Sequence, residues 1–234
     1  MSGVYIISAP SGSGKSTLVD RVRQIVPGLK FSISYTTRAA RGDEQDGREY
    51  FFVSRAEFEE MIRKDEFLEY ADVFGNYYGT ARCFLREAKD EGKDLLLDID
   101  VQGAAQIKAK IPEAVSIFVL PPNRQELEKR LRTRSLDAAD VIHRRLVTAS
   151  REIENYDKYD YILVNDRLDE SIDALKSILL AERLQHAGAV GPKQRSADDT
   201  DLMAKAERCR LNSVRERLQP ILASFEKVAA PGGR

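Results

Sequence analysis

The chain contains no tryptophan, two cysteines, two histidines and three methionines, and its 37 basic and 38 acidic residues leave a formal net charge of −1. Each shortage excludes something. Without tryptophan, stacking on a nucleobase falls to tyrosine or phenylalanine. Cys83 and Cys209 stand far apart, so no disulfide framework is in prospect and a reducing compartment fits better. With His143 and His186 they match no familiar zinc-site spacing. Two histidines also make His-based nucleophilic catalysis a poor expectation. The balanced charge does not advertise a nucleic-acid partner. No apolar stretch approaches the roughly 18 residues that a spanning helix needs. The run Val4–Ile7 lacks a basic flank and is too short for a signal core. A cytoplasmic protein is expected, with neither membrane nor nucleic acid as a partner.

What is present suits an α/β domain with an appendage. The 234 residues are 42% hydrophobic and 32% charged, enough for a sizeable core under a solvated surface. Strand and helix patterns alternate. Val4 to Ser8 reads as a buried strand. A helix from about Gly14 carries Leu18, Val22 and Ile25 on one face and ends at Pro27-Gly28. Leu29 to Tyr35 reads as a second strand, 36 to 48 as a polar loop, and Tyr50 to Val53 as a short strand. Ser54 and Glu57 form a capping box before a helix with Phe58, Met61 and Ile62. Residues 67 to 80 read as a hairpin about Gly75-Asn76. A helix with Phe84, Leu85 and Ala88 follows.

The continuous apolar runs Leu95–Ile99 and Val115–Leu120 read as central parallel strands. Asn123 with Glu126 opens a helix that carries Leu127 and Leu131 inward, and Ile142, Leu146, Ala149 and Ile153 line a further helix. Tyr161 to Val164 is the last strand, and Ile172, Leu175 and Leu179 mark a closing helix. The alternation predicts a parallel sheet covered on both faces. Residues 187–200 have linker composition. Beyond them Leu211, Val214, Leu218, Leu222 and Phe225 recur at helical spacing, and Pro220 is expected to kink or split that helix.

The strongest motif is Ala9-Pro10-Ser11-Gly12-Ser13-Gly14-Lys15-Ser16-Thr17, between a predicted strand and a predicted helix. That is the context of a phosphate-binding P-loop. Glycines let successive N–H groups converge on phosphate oxygens, and the helix N-terminus favours an anion. Lys15 can reach β- and γ-phosphates, and the Ser16 hydroxyl can ligate Mg²⁺. The strict pattern has glycine where Ala9 stands. Asp98 and Asp100, closing an apolar strand, supply a carboxylate that can organise magnesium, Asp98 through water.

Three further runs carry a resemblance. They are Ser32-Ile33-Ser34-Tyr35-Thr36-Thr37-Arg38 with Arg41 and Gly47–Val53; Glu66–Tyr70 with Gly75–Thr80; and Leu97-Asp98-Ile99-Asp100-Val101-Gln102-Gly103. Taken in order with the P-loop, they resemble the guanylate kinases over about residues 3 to 184. The resemblance implies a P-loop NTPase three-layer α/β fold with a parallel central sheet, a small mixed GMP-binding subdomain (about 34–80) and a helical lid (about 130–150). The kinase-like domain then spans 1–186, with a linker at 187–200 and a helical extension at 201–234.

It also implies MgATP-dependent phosphorylation of GMP, and of dGMP, in purine nucleotide metabolism. Arg38, Arg41, Tyr50 and Tyr78 would hold the GMP phosphate. Glu69 would read guanine, whose N1–H and 2-amino group are adjacent donors, with Ser34, Thr80 and Asp100 completing the base contacts. Among the arginines bracketing 135–140, Arg134 and Arg145 match lid residues that reach the transferring phosphoryl group. Arg132 reads as surface. Ser135 and Leu136 replace a more usual glycine and polar residue. No general base is required, because the phosphate nucleophile is largely deprotonated at neutral pH.

Two other readings use the same scaffold. A ribose bisphosphate kinase has no use for a guanine-reading Glu69 or the paired tyrosines. A non-catalytic interaction module of guanylate kinase type usually has a damaged P-loop, whereas Lys15 and Ser16 are intact. The protein is expected to be a monomer or a homodimer, with Leu211, Val214 and Leu218 of the extension as the pairing surface.

Overall fold

The computed structural model describes residues 2–73, 75–134, 139–186 and 196–226. The chain begins with β1 (Val4–Ser8), α1 (Lys15–Ile25), β2 (Leu29–Ser32), β3 (Tyr35–Thr36), β4 (Phe51–Phe52) and α2 (Arg55–Arg63). It continues with β5 (Phe67–Val73), β6 (Asn76–Ala81), α3 (Cys83–Asp90), β7 (Asp94–Asp98), α4 (Val101–Lys110) and β8 (Val115–Leu120). It ends with α5 (Arg124–Arg134), α6 (Ala139–Ile153), β9 (Tyr161–Val164), α7 (Leu168–His186), α8 (Ala197–Glu207) and α9 (Leu211–Glu226).

The strands form a five-stranded sheet of order β2-β7-β1-β8-β9 and a four-stranded sheet of order β4-β3-β6-β5. In the larger sheet β2 pairs β7 and β8 pairs β9, both in parallel. Its strands are apolar runs, as strands covered on both faces must be: every residue of β1 and β8 is buried. The smaller sheet is mixed, with β3–β4 parallel and β3–β6 and β5–β6 antiparallel. The expected α/β class with a parallel central sheet is what the chain adopts.

Two compact units divide the chain. One comprises Met1–Ile6 and Pro27–Val115. Its small sheet is held by aromatic rings: Phe58 stacks on Phe67 at 4.3 Å and on Tyr77 at 5.1 Å, and Tyr35 on Phe51 at 4.8 Å. Phe58 comes from α2, which starts at the expected Ser54/Glu57 capping box. The span read as one strand from Leu29 to Tyr35 is interrupted. Leu29–Ser32 belongs to the large sheet and Tyr35–Thr36 to the small one, so the chain changes sheets at Ile33-Ser34.

The other unit comprises Ile7–Val26 and Ser116–Arg234. In α1 the buried stripe is Leu18, Val19 and Val22. Ile25 does not join it. At 48% exposure it faces solvent, and the following Val26, extended and 2% exposed, takes the buried place.

The C-terminal extension is part of this unit. α8 opens at a Ser196/Asp199 capping box inside the stretch read as linker; residues 187–195 lie outside the described set. The Ile162 N–H donates to the Cys209 carbonyl at 2.8 Å and the Leu211 N–H to the Asp160 carbonyl at 3.1 Å, so the tail pairs with β9. Arg210 stacks over the Tyr161 ring at 4.7 Å and donates to Glu182 at 3.0 Å. α9 then packs on β9, α5 and α6. Pro220 does not split α9, which runs unbroken from Leu211 to Glu226. Pro220 and Glu216 are both exposed, so the carbonyl deprived of its N–H partner meets water. Val214 and Leu218, 6% and 1% exposed, are spent within the chain and are not free to pair with a second copy.

Candidate active site

The P-loop leaves β1 through a turn in which the Ser13 N–H donates to the Pro10 carbonyl at 3.1 Å. Gly12 and Gly14 have φ of 93° and 87°, a region that L side chains rarely enter. Space is equally closed: a Cβ on Gly12 would lie 2.8 Å from Leu131 Cδ2, and one on Gly14 would collide with Asn165 Nδ2. α1 opens at Gly14 with no acidic residue in its first turn, so its positive end is uncompensated. Lys15 and Ser16 occupy that turn, with Ser16 exposed.

Three side chains brace this loop. Asn165, just past β9, donates through Nδ2 to the Ser13 carbonyl at 2.7 Å, and its own N–H donates to the Leu120 carbonyl at 2.7 Å. Arg130 pairs with Glu126 at 3.0 Å and donates to the Asn165 carbonyl at 3.0 Å. Arg145 donates to Ser11 Oγ at 2.7 Å. A cavity of about 330 Å³ opens beside Gly12, Gly14, Thr17, Arg130 and Asn165. Arg134 ends α5, but its side chain lies outside the described residues, as do Ser135 and Leu136. Arg132 and Arg144 are taken by surface pairs with Glu128 and Asp140.

The residues expected to bind the acceptor belong to the other unit. Arg38 is 9% exposed and forms a two-pronged pair with Glu44, Nη1 to Oε2 at 2.9 Å and Nη2 to Oε1 at 3.0 Å. Its guanidinium lies 5.3 Å from the Tyr50 ring centre and donates to the Ala39 carbonyl at 2.6 Å. Tyr50 and Tyr78 meet edge to face at 5.8 Å. Burial, with the Asp98 charge, pushes the Tyr50 phenol up to about 12, so it stays a donor at neutral pH. Arg41 is exposed, and its N–H donates to Glu44 Oε2 at 2.8 Å. Ser34 accepts the Phe51 N–H at 3.0 Å through its carbonyl.

Glu69 and Thr80 are cross-strand partners on β5 and β6. Glu69 is 3% exposed, Thr80 is fully buried, and the Thr80 hydroxyl donates to Glu69 Oε1 at 2.6 Å. Burial pushes the Glu69 carboxyl up to about 7, against the Thr80 hydrogen bond and with the Asp100 charge adding to the rise. Asp100 caps α4, its Oδ1 accepting the Gly103 N–H at 2.8 Å.

The guanylate kinase family model matches residues 1–182. The chain belongs to the guanylate kinase family. A guanylate kinase of Koribacter versatilis is 54% identical over 99% of both chains. One of Vibrio parahaemolyticus is 51% identical over 78% of this chain and 89% of its own. The crystal structure of guanylate kinase from Anaplasma phagocytophilum superposes with a TM-score of 0.66 at 36% identity, covering 78% of this chain and 87% of that one.

Sequence reading overlooked Glu44 and Asn165. Glu44 sits in a loop crowded with charge, where the spacing Arg38, Arg41, Glu44 was the available signal. Asn165 follows a parallel strand at its carboxyl end, the edge where open α/β sheets place their ligands.

Proposed function

We propose that the protein transfers the γ-phosphoryl group of ATP to GMP, and to dGMP, giving ADP and the corresponding diphosphate. Membership of the family supports the reaction class. The observation that carries the acceptor is Glu69: a buried carboxylate whose Oε1 already accepts from Thr80, in the same unit as Arg38, Tyr50 and Tyr78. Guanine presents two adjacent donors to such a carboxylate. Adenine presents no such pair and would leave it unsatisfied, the kind of mismatch that discriminates strongly.

The chain's own groups divide the work. The N–H groups of residues 11–17 and the Lys15 ammonium bind the donor phosphates. Arg145, held at Ser11, adds positive charge at the loop. Arg38 and Arg41, with donor hydroxyls from Tyr50 and Tyr78, take the GMP phosphate. The nucleophile is an oxygen of that phosphate, so the residues supply position and charge, not a base. Mg²⁺ suits the oxygen donors on offer, since it takes few protein ligands beside phosphate and water. We assign the Ser16 hydroxyl, in the first turn of α1, to it. When bound, it would neutralise charge on the donor phosphates. No helix among the described residues is long and apolar enough to cross a membrane. A cytoplasmic location is our reading, supported by the unpaired Cys83 and Cys209.

The test is ADP release with MgATP and, in turn, GMP, dGMP, AMP, UMP and ribose 1,5-bisphosphate. Turnover confined to GMP and dGMP is expected. Comparable turnover with AMP, or none with any acceptor in folded protein, would overturn the proposal.

A further inference from the structure

β5 is an edge strand of the small sheet, and an edge strand normally leaves backbone donors and acceptors open on its outer side. In this protein α4 closes those of Tyr70 and the Leu68 carbonyl. Gln106 Nε2 donates to the Tyr70 carbonyl at 2.7 Å, and Gln106 Oε1 accepts the Tyr70 N–H at 3.3 Å. Lys110 Nζ donates to the Leu68 carbonyl. One amide side chain therefore acts as a stand-in strand for Tyr70, and one ammonium holds Leu68. The residue between these two clamped positions is Glu69.

The register explains why clamping is needed. Phe67 faces Ala81 and Glu69 faces Thr80, so two steps along β5 match one along β6. Leu68 is the extra residue of a bulge, a device that re-aims the next side chain and loosens the ladder locally. Sheet pairing alone would leave Glu69 poorly fixed. Its carboxylate instead rests on α4 at Gly103, where an added Cβ would collide with Oε2 and approach the carboxyl carbon to 2.9 Å. Positions 103, 106 and 110 fall on one face of the helix.

We propose that Gly103, Gln106 and Lys110 are positioning residues: they form a cradle on α4 that fixes the Glu69 carboxylate and so set the preference for guanine over adenine. The inference rests on the reading of Glu69 as the guanine acceptor. Gly103 gives the carboxylate room, Gln106 fixes the backbone after it, and Lys110 fixes the bulge before it. The charged groups that act on Glu69 are Asp100 and Lys110, both from α4, and the facing group of β6 is the Thr80 hydroxyl. Lys110 draws the carboxyl toward its ionised form and Asp100 opposes it. A misplacement of about 1 Å in such a site can cost about a hundredfold.

The experiment measures kcat and KM for GMP at saturating MgATP, KM for ATP, and turnover of AMP, in Gly103→Ala, Gln106→Leu and Lys110→Met, with Glu69→Ala and the double variant Glu69→Ala/Gly103→Ala as references. Gly103→Ala should raise KM for GMP about tenfold to a hundredfold, with KM for ATP within about twofold and a smaller GMP-to-AMP ratio. Gln106→Leu should move the same quantities by a smaller factor. Lys110→Met should shift the pH midpoint of kcat/KM for GMP to higher pH, a change that loss of packing does not produce. In the Glu69→Ala background, Gly103→Ala should have no further effect.

If Gly103→Ala does not fold, Gln106→Leu decides, because that side chain is half-exposed and no core is disturbed. Folded variants with unchanged KM for GMP, or with equal rises for GMP and ATP, overturn the proposal. If Glu69→Ala itself keeps full preference for GMP, the reading of Glu69 fails and the cradle with it. If Glu69→Ala loses that preference while the α4 variants keep it, the cradle alone fails.

Discussion

Glu69 is surrounded by groups that pull its proton in opposite directions. Burial raises its affinity for the proton most, Asp100 adds to that, and the Thr80 hydroxyl and Lys110 oppose it, leaving the carboxyl near 7. A carboxyl raised from 4.5 binds its proton more tightly in the folded protein than in the unfolded chain. Its contribution to stability is therefore full below 4.5 and is lost as the pH rises toward 7. On the proposed reading of Glu69 as the guanine acceptor, binding runs the other way, because guanine donors need the ionised form. We predict that kcat/KM for GMP rises with pH through about 7, by up to about tenfold per unit below the midpoint. Glu69→Gln should lose this step and retain only the ionisation of the GMP phosphate near 6. Identical pH profiles for the two proteins would count against the assignment. Little of this was legible beforehand: the residue stood in a recognisable run, but its pairing with Thr80 depends on a bulge, and bulges leave no period in a sequence.

At the scale of elements, apolar runs and caps were sufficient guides wherever burial is two-sided or a cap is local. Val115–Leu120 and the Ser54/Glu57 box are such cases, and both fold as read. The misreadings occur where tertiary packing overrides a local rule. Leu29–Tyr35 has one uniform pattern yet serves two sheets, and α9 passes through Pro220 because its buried face, with Val214, Leu218 and Phe225, holds it on the other side. A proline in a helix interior costs about 3 kcal/mol, so Pro220→Ala should stabilise the protein and raise its Tm by several degrees in thermal denaturation. An unchanged or lower Tm would mean that the proline ring contributes packing. Leu218→Ala, by contrast, removes a buried side chain and should cost about 2–5 kcal/mol in chemical denaturation. Sedimentation of the same variant should show the mass of the unaltered protein, since Leu218 packs inside its own chain.

At the scale of the whole molecule, the residues proposed for the two substrates fall in different units. Ser34, Arg38, Arg41, Tyr50, Glu69, Tyr78, Thr80 and Asp100 fall within Pro27–Val115, whereas the P-loop, Arg130, Arg145 and Asn165 fall in Ile7–Val26 and Ser116–Arg234. The braces respect the same division: Glu44 serves Arg38, and Asn165 serves Ser13. GMP should therefore find its contacts ready without help from the phosphate loop. Lys15→Ala tests this, because it deletes one charge from the donor side and leaves every acceptor residue in place. We predict that the variant loses phosphoryl transfer by at least about a thousandfold, in line with the loss of a group that stabilises charge in the transition state. Its GMP affinity in calorimetry, without ATP, should stay within about twofold of the unaltered protein. Loss of GMP affinity in step with activity would mean that the acceptor site is not self-contained. Full activity in the folded variant would remove Lys15 from the reaction, and the phosphate loop would then lose its place as the donor site.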